Sequence, residues 1–392
     1  MIPELRADFN RRWTPARYEE FLRRLDAESG THVEFRCSET PVFLPNDMLT
    51  QMVRCGQELY GQLAANPAYL KAAAATIPAE FRVHGAAEHP LFVQADFGLI
   101  RQTDGTLAPR LVEIQGFPSI YAFQPMMARQ YQTVFGLDED LTTFLGGLTE
   151  TSYFNLFRKV ILNGHAPDEV ILLEIDPFQQ KTAPDFLLTR KHLGIKIACI
   201  RDVKRSGSKL FFDNKPVKRI YNRVIVDELV RKNVQAGVDF KDEVDVEWAG
   251  HPNWFYLLSK FSLPWFRHEC VPETFFLNDV RTLPDNLHDY VLKPLYSFAG
   301  LGVNIGPTKE DIAAIPLDER GAFILQRKMD FVATIDTPSG MTKIEVRVMY
   351  IWDEGALQPV NTVVRSGRGK MMGVDFNKNL DWVGATAGFR VK

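Results

Sequence analysis

The chain is poor in cysteine and has no long apolar segment. Its four cysteines, Cys37, Cys55, Cys199 and Cys270, show no C-x-x-C spacing, so we expect reduced, small apolar side chains rather than disulfides or a zinc site. No run approaches the ~20 apolar residues needed to cross a bilayer. The N-terminal MIPELRADFNRRW has no apolar core of the signal-peptide type. These absences predict a cytoplasmic protein that does not bind membranes.

Neither sign of charge dominates the sequence. The 46 Lys and Arg residues against 49 Asp and Glu residues give a formal net charge of −3, which offers no general attraction to nucleic acid. We therefore expect no nucleic-acid partner, and any bound anion has to be held by a local site. Hydrophobic residues make up 45% of the 392 positions, a proportion typical of globular proteins with two or three lobes.

Several common catalytic motifs are also missing. The eight histidines show no H-E-x-x-H spacing, and there is no G-x-S-x-G elbow, which argues against zinc and serine hydrolases. Neither the Walker pattern G-x-x-x-x-G-K-[ST] nor a G-x-G-x-x-G fingerprint before a helix is present. A nucleotide site, if there is one, must be built differently.

Hydrophobic periodicity divides the chain into four regions and predicts the α/β (α+β) class. Residues 1–88 are mostly helical by pattern, and 89–150 contain a β-hairpin followed by helical sequence. Residues 151–250 alternate helices and strands, as in an α/β lobe. Residues 251–392 begin with a predicted helix over 251–261 and continue as mainly antiparallel strands.

The segment ADFGLIRQTDGTLAPRLVEIQ, residues 95–115, predicts a β-hairpin that carries acids where apolar residues are expected. Asp104-Gly105 is a preferred pair for a two-residue turn, because both positions need positive φ. This turn makes Thr103 pair with Thr106. It also places Asp96 directly opposite Glu113.

The same register puts four polar side chains on one face of the hairpin. Gln94 lies opposite Gln115, and the Cβ atoms of Asp96 and Glu113 are expected about 5 Å apart. Two carboxylates that close require a cation, and oxygen-only ligands favour Mg²⁺. A solvated hairpin face, on which the acids only add solubility, remains the alternative.

A second stretch, VLKPLYSFAGLGVNIG at residues 291–306, combines a lysine with a glycine-containing loop between two strands. Glycines let backbone N–H groups turn toward a phosphate, and the Lys293 ammonium adds a point charge. A plain hairpin connection with Lys293 at the strand edge explains the pattern equally well.

Two other residues have both a structural and a functional interpretation. Lys260 lies in the apolar segment NWFYLLSKFSLPWF, where it either extends its ammonium to water or points into a cleft to hold a phosphate. Gln326 ends the apolar strand AFILQRKM, where the neighbouring backbone could pair with an adenine edge. A linker between two lobes would show the same sequence pattern around Gln326.

Arginines near the C-terminus offer charge for a transferring phosphoryl group. Glu345 and Arg347 share one face of a predicted strand, and they could form no more than a cross-strand ion pair. In a phosphate site, Arg347, Arg365 or Arg368 would stabilise developing charge. The sequence does not choose among them.

The succession of these motifs resembles the circularly permuted ATP-grasp enzymes, most of all the synthetase domain of glutathionylspermidine synthases. The resemblance implies an ATP-grasp-like fold in circularly permuted order with a mostly helical N-terminal region. In it, 89–150 would carry the metal-binding hairpin and helices of the core, 151–250 a central lobe, and 251–392 the nucleotide-binding lobe. Gln94 departs from the family, which commonly has arginine there, and Gln115 replaces an asparagine.

The resemblance also implies a ligand set and an activity. The implied metal ligands are Asp96, Glu113 and Gln115. The implied ATP-binding residues are Lys260, Lys293, Ser297, Gly300, Gly302 and Gln326. Arg347 and Arg365 are taken as the catalytic residues because of the charge that they offer to a phosphoryl group. The implied enzyme is an ATP-dependent, Mg²⁺-dependent ligase that joins a small-molecule carboxylate to an amine through an acyl phosphate. The alternatives are a phosphotransferase, a non-catalytic nucleotide-binding or scaffold protein, and a plain soluble α/β protein with no ATP site. The sequence identifies neither the substrates nor the oligomeric state.

Overall fold

The structure is a computed structural model that describes residues 1–85, 87–296 and 301–392. In these residues the α-helices are α1 (Pro3–Arg12), α2 (Pro15–Ser29), α3 (Asn46–Ala64), α4 (Pro67–Ala75), α5 (Phe123–Phe135), α6 (Glu150–Leu162), α7 (Ala183–Leu193), α8 (Val226–Arg231), α9 (Trp254–Leu257), α10 (Lys309–Ala313) and α11 (Val374–Asn377). The strands are β1 (Val42–Phe43), β2 (Phe92–Arg101), β3 (Leu107–Gln115), β4 (Leu141–Thr142), β5 (Val170–Glu174), β6 (Lys196–Cys199), β7 (Lys204–Ser206), β8 (Lys209–Phe212), β9 (Lys215–Val217), β10 (Arg219–Asn222), β11 (Glu247–Ala249), β12 (Thr274–Phe276), β13 (Tyr290–Pro294), β14 (Asn304–Ile305), β15 (Phe323–Arg327), β16 (Ala333–Ile335), β17 (Thr342–Asp353), β18 (Ala356–Gly367), β19 (Gly384–Thr386) and β20 (Gly388–Val391).

The largest sheet is antiparallel and runs in the order β19-β18-β17-β2-β3, with β16 added to β17. Alternation along β2 sends Val93, Ala95 and Phe97 into the apolar core that also contains residues of α3. Gln94 and Asp96 therefore lie on the opposite face, and both are fully buried. The sheet thus encloses polar side chains that need partners inside the protein.

A second sheet confirms the α/β pattern predicted between 151 and 250. Its parallel strands are ordered β11-β10-β5-β6, and α7 leads directly into β6. The same region contains a short hairpin, in which β8 and β9 pair across Asp213 and Asn214, whose φ angles are 50° and 61°. These are the positive values that a two-residue turn requires.

A third, antiparallel sheet has the order β12-β15-β13-β14, and its strand β13 carries Lys293. Part of the predicted glycine loop, including Ser297 and Gly300, lies outside the described residues. Gly302 has φ +72°, and a Cβ there would come within 2.9 Å of Pro294 Cγ. Both constraints favour glycine at this position.

The helix predicted over 251–261 is wrong in extent. Helix α9 covers only four residues, and a 3-10 helix over Lys260–Trp265 follows after an extended Leu258. The Leu257 carbonyl accepts a hydrogen bond from the Tyr69 hydroxyl at 2.6 Å. The Leu258 carbonyl accepts one from the Gly116 N–H at 3.1 Å. Because these carbonyls bind tertiary partners, the helix ends early and Lys260 begins a separate turn.

The mixed α and β class predicted from the sequence is confirmed. One apolar core includes residues of all four predicted regions, among them Leu59, Phe97, Ile220 and Val346, so the predicted boundaries between regions stay predictions. Over the described ranges, no helix has both the length and the apolar character needed to cross a membrane.

Candidate functional site

The turn of the β2–β3 hairpin is one residue longer than predicted. Gln102 donates its N–H to the Thr106 carbonyl at 2.8 Å, so Gln102 rather than Thr103 is the partner of Thr106. Three residues form the loop, and Gly105 adopts φ +86°, the left-handed conformation that such loops place on glycine. The predicted pairing of Thr103 with Thr106 is therefore wrong.

A β-bulge at Val112 restores the predicted pairing of the acids. Phe97 lies opposite Leu111, whereas Asp96 lies opposite Glu113, so Val112 is an extra residue on β3. A bulge of this kind re-aims the side chains beyond it. The predicted register is thus confirmed at the acids, although it fails near the turn.

Two arginines neutralise Asp96. Arg347 on β17 forms a bidentate pair with it, with Nε 2.6 Å from Oδ1 and Nη2 2.6 Å from Oδ2. Arg365 on β18 adds a hydrogen bond to Oδ2 at 2.5 Å. The positive charge required by the acidic pair therefore comes from the protein itself. Both Asp96 oxygens already accept hydrogen bonds from arginines, and its predicted role as metal ligand stays a prediction.

Two glutamine side chains fix the position of Arg347. Gln94 accepts from Arg347 Nη1 at 3.0 Å and donates to the Ser119 carbonyl at 2.9 Å. Gln115 lies opposite Gln94 as predicted. When the Gln115 amide oxygen faces the guanidinium, it lies 3.2 Å from both Nη atoms. Gln94 and Gln115 therefore act here as partners of an arginine.

Glu113 faces the cleft and carries a stabilised negative charge. Lys260 Nζ lies 3.5 Å from Oε2, and Arg347 Nη2 lies 3.8 Å from Oε1. Burial alone would raise the pKa of Glu113, but Lys260 and then Arg347 and Arg365 outweigh it and lower the pKa to about 2. Glu113 is thus an ionised oxygen donor at neutral pH, which is the form that binds a hard cation.

Glu345 is the third carboxylate of the cluster and lies opposite Arg365, with which it is in direct contact. Burial raises the pKa of Glu345 to about 7, with Arg365 opposing this shift and Asp96 adding to it. The cross-strand ion pair considered for Glu345 is present, although with Arg365 rather than with Arg347.

Lys293 and Gln326 meet on the third sheet. Lys293 Nζ donates to Gln326 Oε1 at 2.6 Å and lies 3.4 Å from the carbonyl of the bulge residue Val112. Gln326 donates in turn to Thr274 Oγ1 at 3.1 Å. Burial lowers the pKa of Lys293 to about 8, an effect that Glu113 partly opposes. The lysine is therefore buried at the point where the third sheet approaches the largest one.

A cleft of about 580 Å³ lies between the largest and the third sheet. Its lining includes Glu113, Lys260, Lys293, Gln326, Glu345 and Arg365 but not Asp96 or Arg347. This volume lies within the range of small-molecule sites. The described lining contains seven lysines and arginines against three carboxylates, an excess of four positive charges in a chain whose formal charge is −3. Most of the other lining side chains are apolar, among them Val291, Ile305, Met329 and Met372. The cleft therefore suits an anion attached to an apolar ring.

The structure separates the arginines among which the sequence did not choose. Arg347 and Arg365 lie in the cluster, whereas Arg368 donates to Thr342 Oγ1 and to the Asp381 carbonyl. Lys343 and the three methionines of the wall, Met329, Met371 and Met372, were not predicted. They lie on a strand face or in loops with no motif, and only the folding of the chain brings them to the cleft.

Comparison with known proteins shows the fold. No protein-family model matches the chain, and no curated protein does. A glutathione synthetase-like effector from Globodera pallida, solved in its apo form, is similar over 95% of this chain and 96% of that chain, with a TM-score of 0.57 and 14% identity. The chain has a glutathione synthetase-like fold. At this identity the similarity concerns the fold alone, so the permuted order and the activity suggested by the sequence stay predictions.

Proposed function

We propose that the protein is an ATP-dependent ligase that joins a carboxylate to an amine and uses Mg²⁺. The observation that carries the proposal is the cleft with its excess of four positive charges, located between two sheets of a glutathione synthetase-like fold. Such a charge excess is what a triphosphate needs, and the apolar wall is suited to a base.

The donors that line the cleft fit Mg-ATP. Glu113 and Glu345 present carboxylate oxygens to the cleft, and Mg²⁺ commonly takes one or two carboxylates and completes its shell with water and phosphate oxygens. Lys260 and Lys293 are in reach of the same space, where their ammonium groups would hold phosphate oxygens. Mg-ATP, when bound, supplies the phosphoryl group that activates a carboxylate as an acyl phosphate for attack by an amine.

Side chains of the protein orient the reacting groups and neutralise their charge. Asp96 holds Arg347 and Arg365 side by side through both of its oxygens, so the guanidinium groups are positioned before any substrate arrives. Arg365, whose side chain is 24% exposed, is the one of the two that lines the cleft. We assign to it the stabilisation of charge on the transferring group.

Hydroxylamine trapping tests the proposal. Purified protein with Mg-ATP and a panel of small carboxylates should release ADP, and hydroxylamine should intercept the activated carboxylate as a hydroxamate. The Lys293→Met variant should lose at least tenfold in rate, whereas the Lys309→Met control, on an exposed residue of α10, should keep wild-type activity. Rates that are equal in Lys293→Met and wild type would contradict the assigned site.

A second candidate function is nucleotide binding without catalysis. One observation in favour of it is that both Asp96 oxygens accept hydrogen bonds from arginines. The other is Gln94, which stands where the family in the resemblance commonly has arginine. Mg-dependent ATP binding without ADP release from any carboxylate and amine mixture would support this candidate. A phosphorylated product that forms without any amine would instead identify a phosphotransferase.

A further inference from the structure

A separate cluster of metal-binding residue types lies outside the cleft. Cys55 on α3, His268 and Cys270 offer ligand atoms that all lie within 4.8 Å of one another. The two thiols are free and buried, with 2% and 1% exposure. Two sulfurs and an imidazole nitrogen are the donors that Zn²⁺ prefers.

The histidine is already oriented as a ligand would be. His268 Nε2 lies 2.9 Å from Glu58 Oε2, which places the ring N–H on that side and leaves Nδ1 with its lone pair. Zinc-binding histidines commonly direct their second nitrogen to a carboxylate in this way. In the structure Nδ1 accepts the Cys270 N–H at 3.1 Å, a contact that a metal ion would replace.

We propose that Cys55, His268 and Cys270 bind one Zn²⁺ ion. Ligand atoms on a tetrahedral Zn²⁺ are about 3.5–4 Å apart, so a small inward movement completes the three-ligand set. Water takes the fourth position. Binding converts both thiols to thiolates and releases their two protons to solvent.

The site would join α3 to the strand that carries Glu113. The Cys270 carbonyl accepts from the Leu111 N–H at 2.7 Å, and Leu111 immediately precedes the bulge at Val112. The ion would therefore brace the edge strand β3 from outside the cleft. A Cys55–Cys270 disulfide is the rival interpretation, but it gives no role to the imidazole or to the carboxylate that orients it.

Cobalt substitution tests the inference directly. Reduced, metal-free protein is titrated with Co²⁺ without oxygen, and the thiolate-to-cobalt absorption in the near ultraviolet is followed. We expect one equivalent to bind, with Zn²⁺ displacing it stoichiometrically. The variants Cys55→Ser, Cys270→Ser and His268→Gln should each reduce the affinity at least tenfold, whereas Cys199→Ser, which alters a thiol elsewhere, should bind as wild type does. Far-UV circular dichroism confirms that each variant is folded.

Two results would overturn the zinc site. The first is wild-type protein that shows no thiolate-to-cobalt band although both thiols are reduced by titration with a thiol reagent. The second is a band that persists unchanged in Cys55→Ser. A disulfide that forms under mild oxidant in protein that binds no cobalt when reduced would favour the redox pair and likewise overturn the proposal. None of these measurements depends on the proposed ligase activity.

Discussion

Asp96 is fully buried and is the shared partner of Arg347 and Arg365. A buried ion pair adds little over an apolar pair of the same shape, but removing one partner leaves an uncompensated charge and is costly. Here a single carboxylate accepts hydrogen bonds from two guanidinium groups. Its loss would therefore remove a charged partner from both Arg347 and Arg365.

Neutralising Asp96 should therefore destabilise the protein strongly. We expect Asp96→Asn to lower the free energy of unfolding by about 3–5 kcal/mol, measured by urea denaturation. The control is Asp8→Asn, which removes a partner of Arg11 and Arg12 on an exposed helix surface and should cost less than about 1 kcal/mol. Equal effects of the two substitutions would show that the arginines do not depend on Asp96.

Lys293 should make nucleotide binding depend on pH. Its pKa is lowered to about 8 by burial, so the ammonium is present below pH 8 and is lost as the pH rises through that value. Bound phosphate favours the charged form, and the affinity for Mg-ATP should fall up to about tenfold for each pH unit above 8. Lys293→Arg keeps its charge and should show a flat profile in the same calorimetric titration. Identical slopes for lysine and arginine would exclude Lys293 as the titrating group.

At the level of elements, the β2–β3 hairpin shows which part of a strand pairing can be predicted from the sequence. The pairing of Asp96 with Glu113 was predicted from a two-residue turn, yet the turn has three residues and the bulge at Val112 compensates. The prediction is confirmed at the acids because two offsets cancel. Nothing in the local sequence specifies Val112 as the bulge, and the Lys293 that contacts its carbonyl is distant in sequence.

Two deletions separate the roles of turn and bulge. Deleting Thr103 leaves Gln102 and Thr106 to close an Asp-Gly turn of two residues, so the strands and nucleotide binding should be retained. Deleting Val112 removes the extra residue, so Glu113 then follows Leu111 directly and still lies opposite Asp96 on the same face. We therefore expect the Val112 deletion to keep a Mg-ATP affinity close to that of wild type. A loss of tenfold or more in this deletion alone would contradict this expectation and would show that the bulge itself positions Glu113.

Other features could not be predicted because they depend on distant partners. The helix at 251–261 ends early since Tyr69 and Gly116 bind its carbonyls, and neither residue is near it in sequence. Likewise, Cys55 and His268 lie on separate parts of the chain, and no spacing rule connects them. Five charged residues of the cleft, Glu113, Lys260, Lys293, Glu345 and Arg365, could be identified from the sequence, because they interrupt otherwise apolar segments.

Over the whole molecule, the cleft lies between two sheets that contribute opposite walls. Glu113, Glu345 and Arg365 come from the largest sheet, and Lys293 and Gln326 come from the third sheet. A ligand that contacts both walls binds the folded form alone. It should therefore stabilise the whole protein through mass action.

Mg-ATP should raise the melting temperature of the protein. At a concentration of about 100 times the dissociation constant, the expected gain in the free energy of unfolding is about 2.7 kcal/mol. The shift should vanish with chelator and should be smaller in Lys293→Met than in the exposed-lysine control Lys309→Met. An equal shift with and without Mg²⁺ would argue against a metal bound by the carboxylates.

The most direct test of the account is calorimetric titration of the intact protein with ATP, with and without Mg²⁺. We predict a single site that requires Mg²⁺, that weakens at least tenfold in Glu113→Gln and in Lys293→Met, and that is unchanged in Lys309→Met. Wild-type protein that binds no ATP under these conditions would contradict the account. The charge excess of the cleft would then serve a different anion.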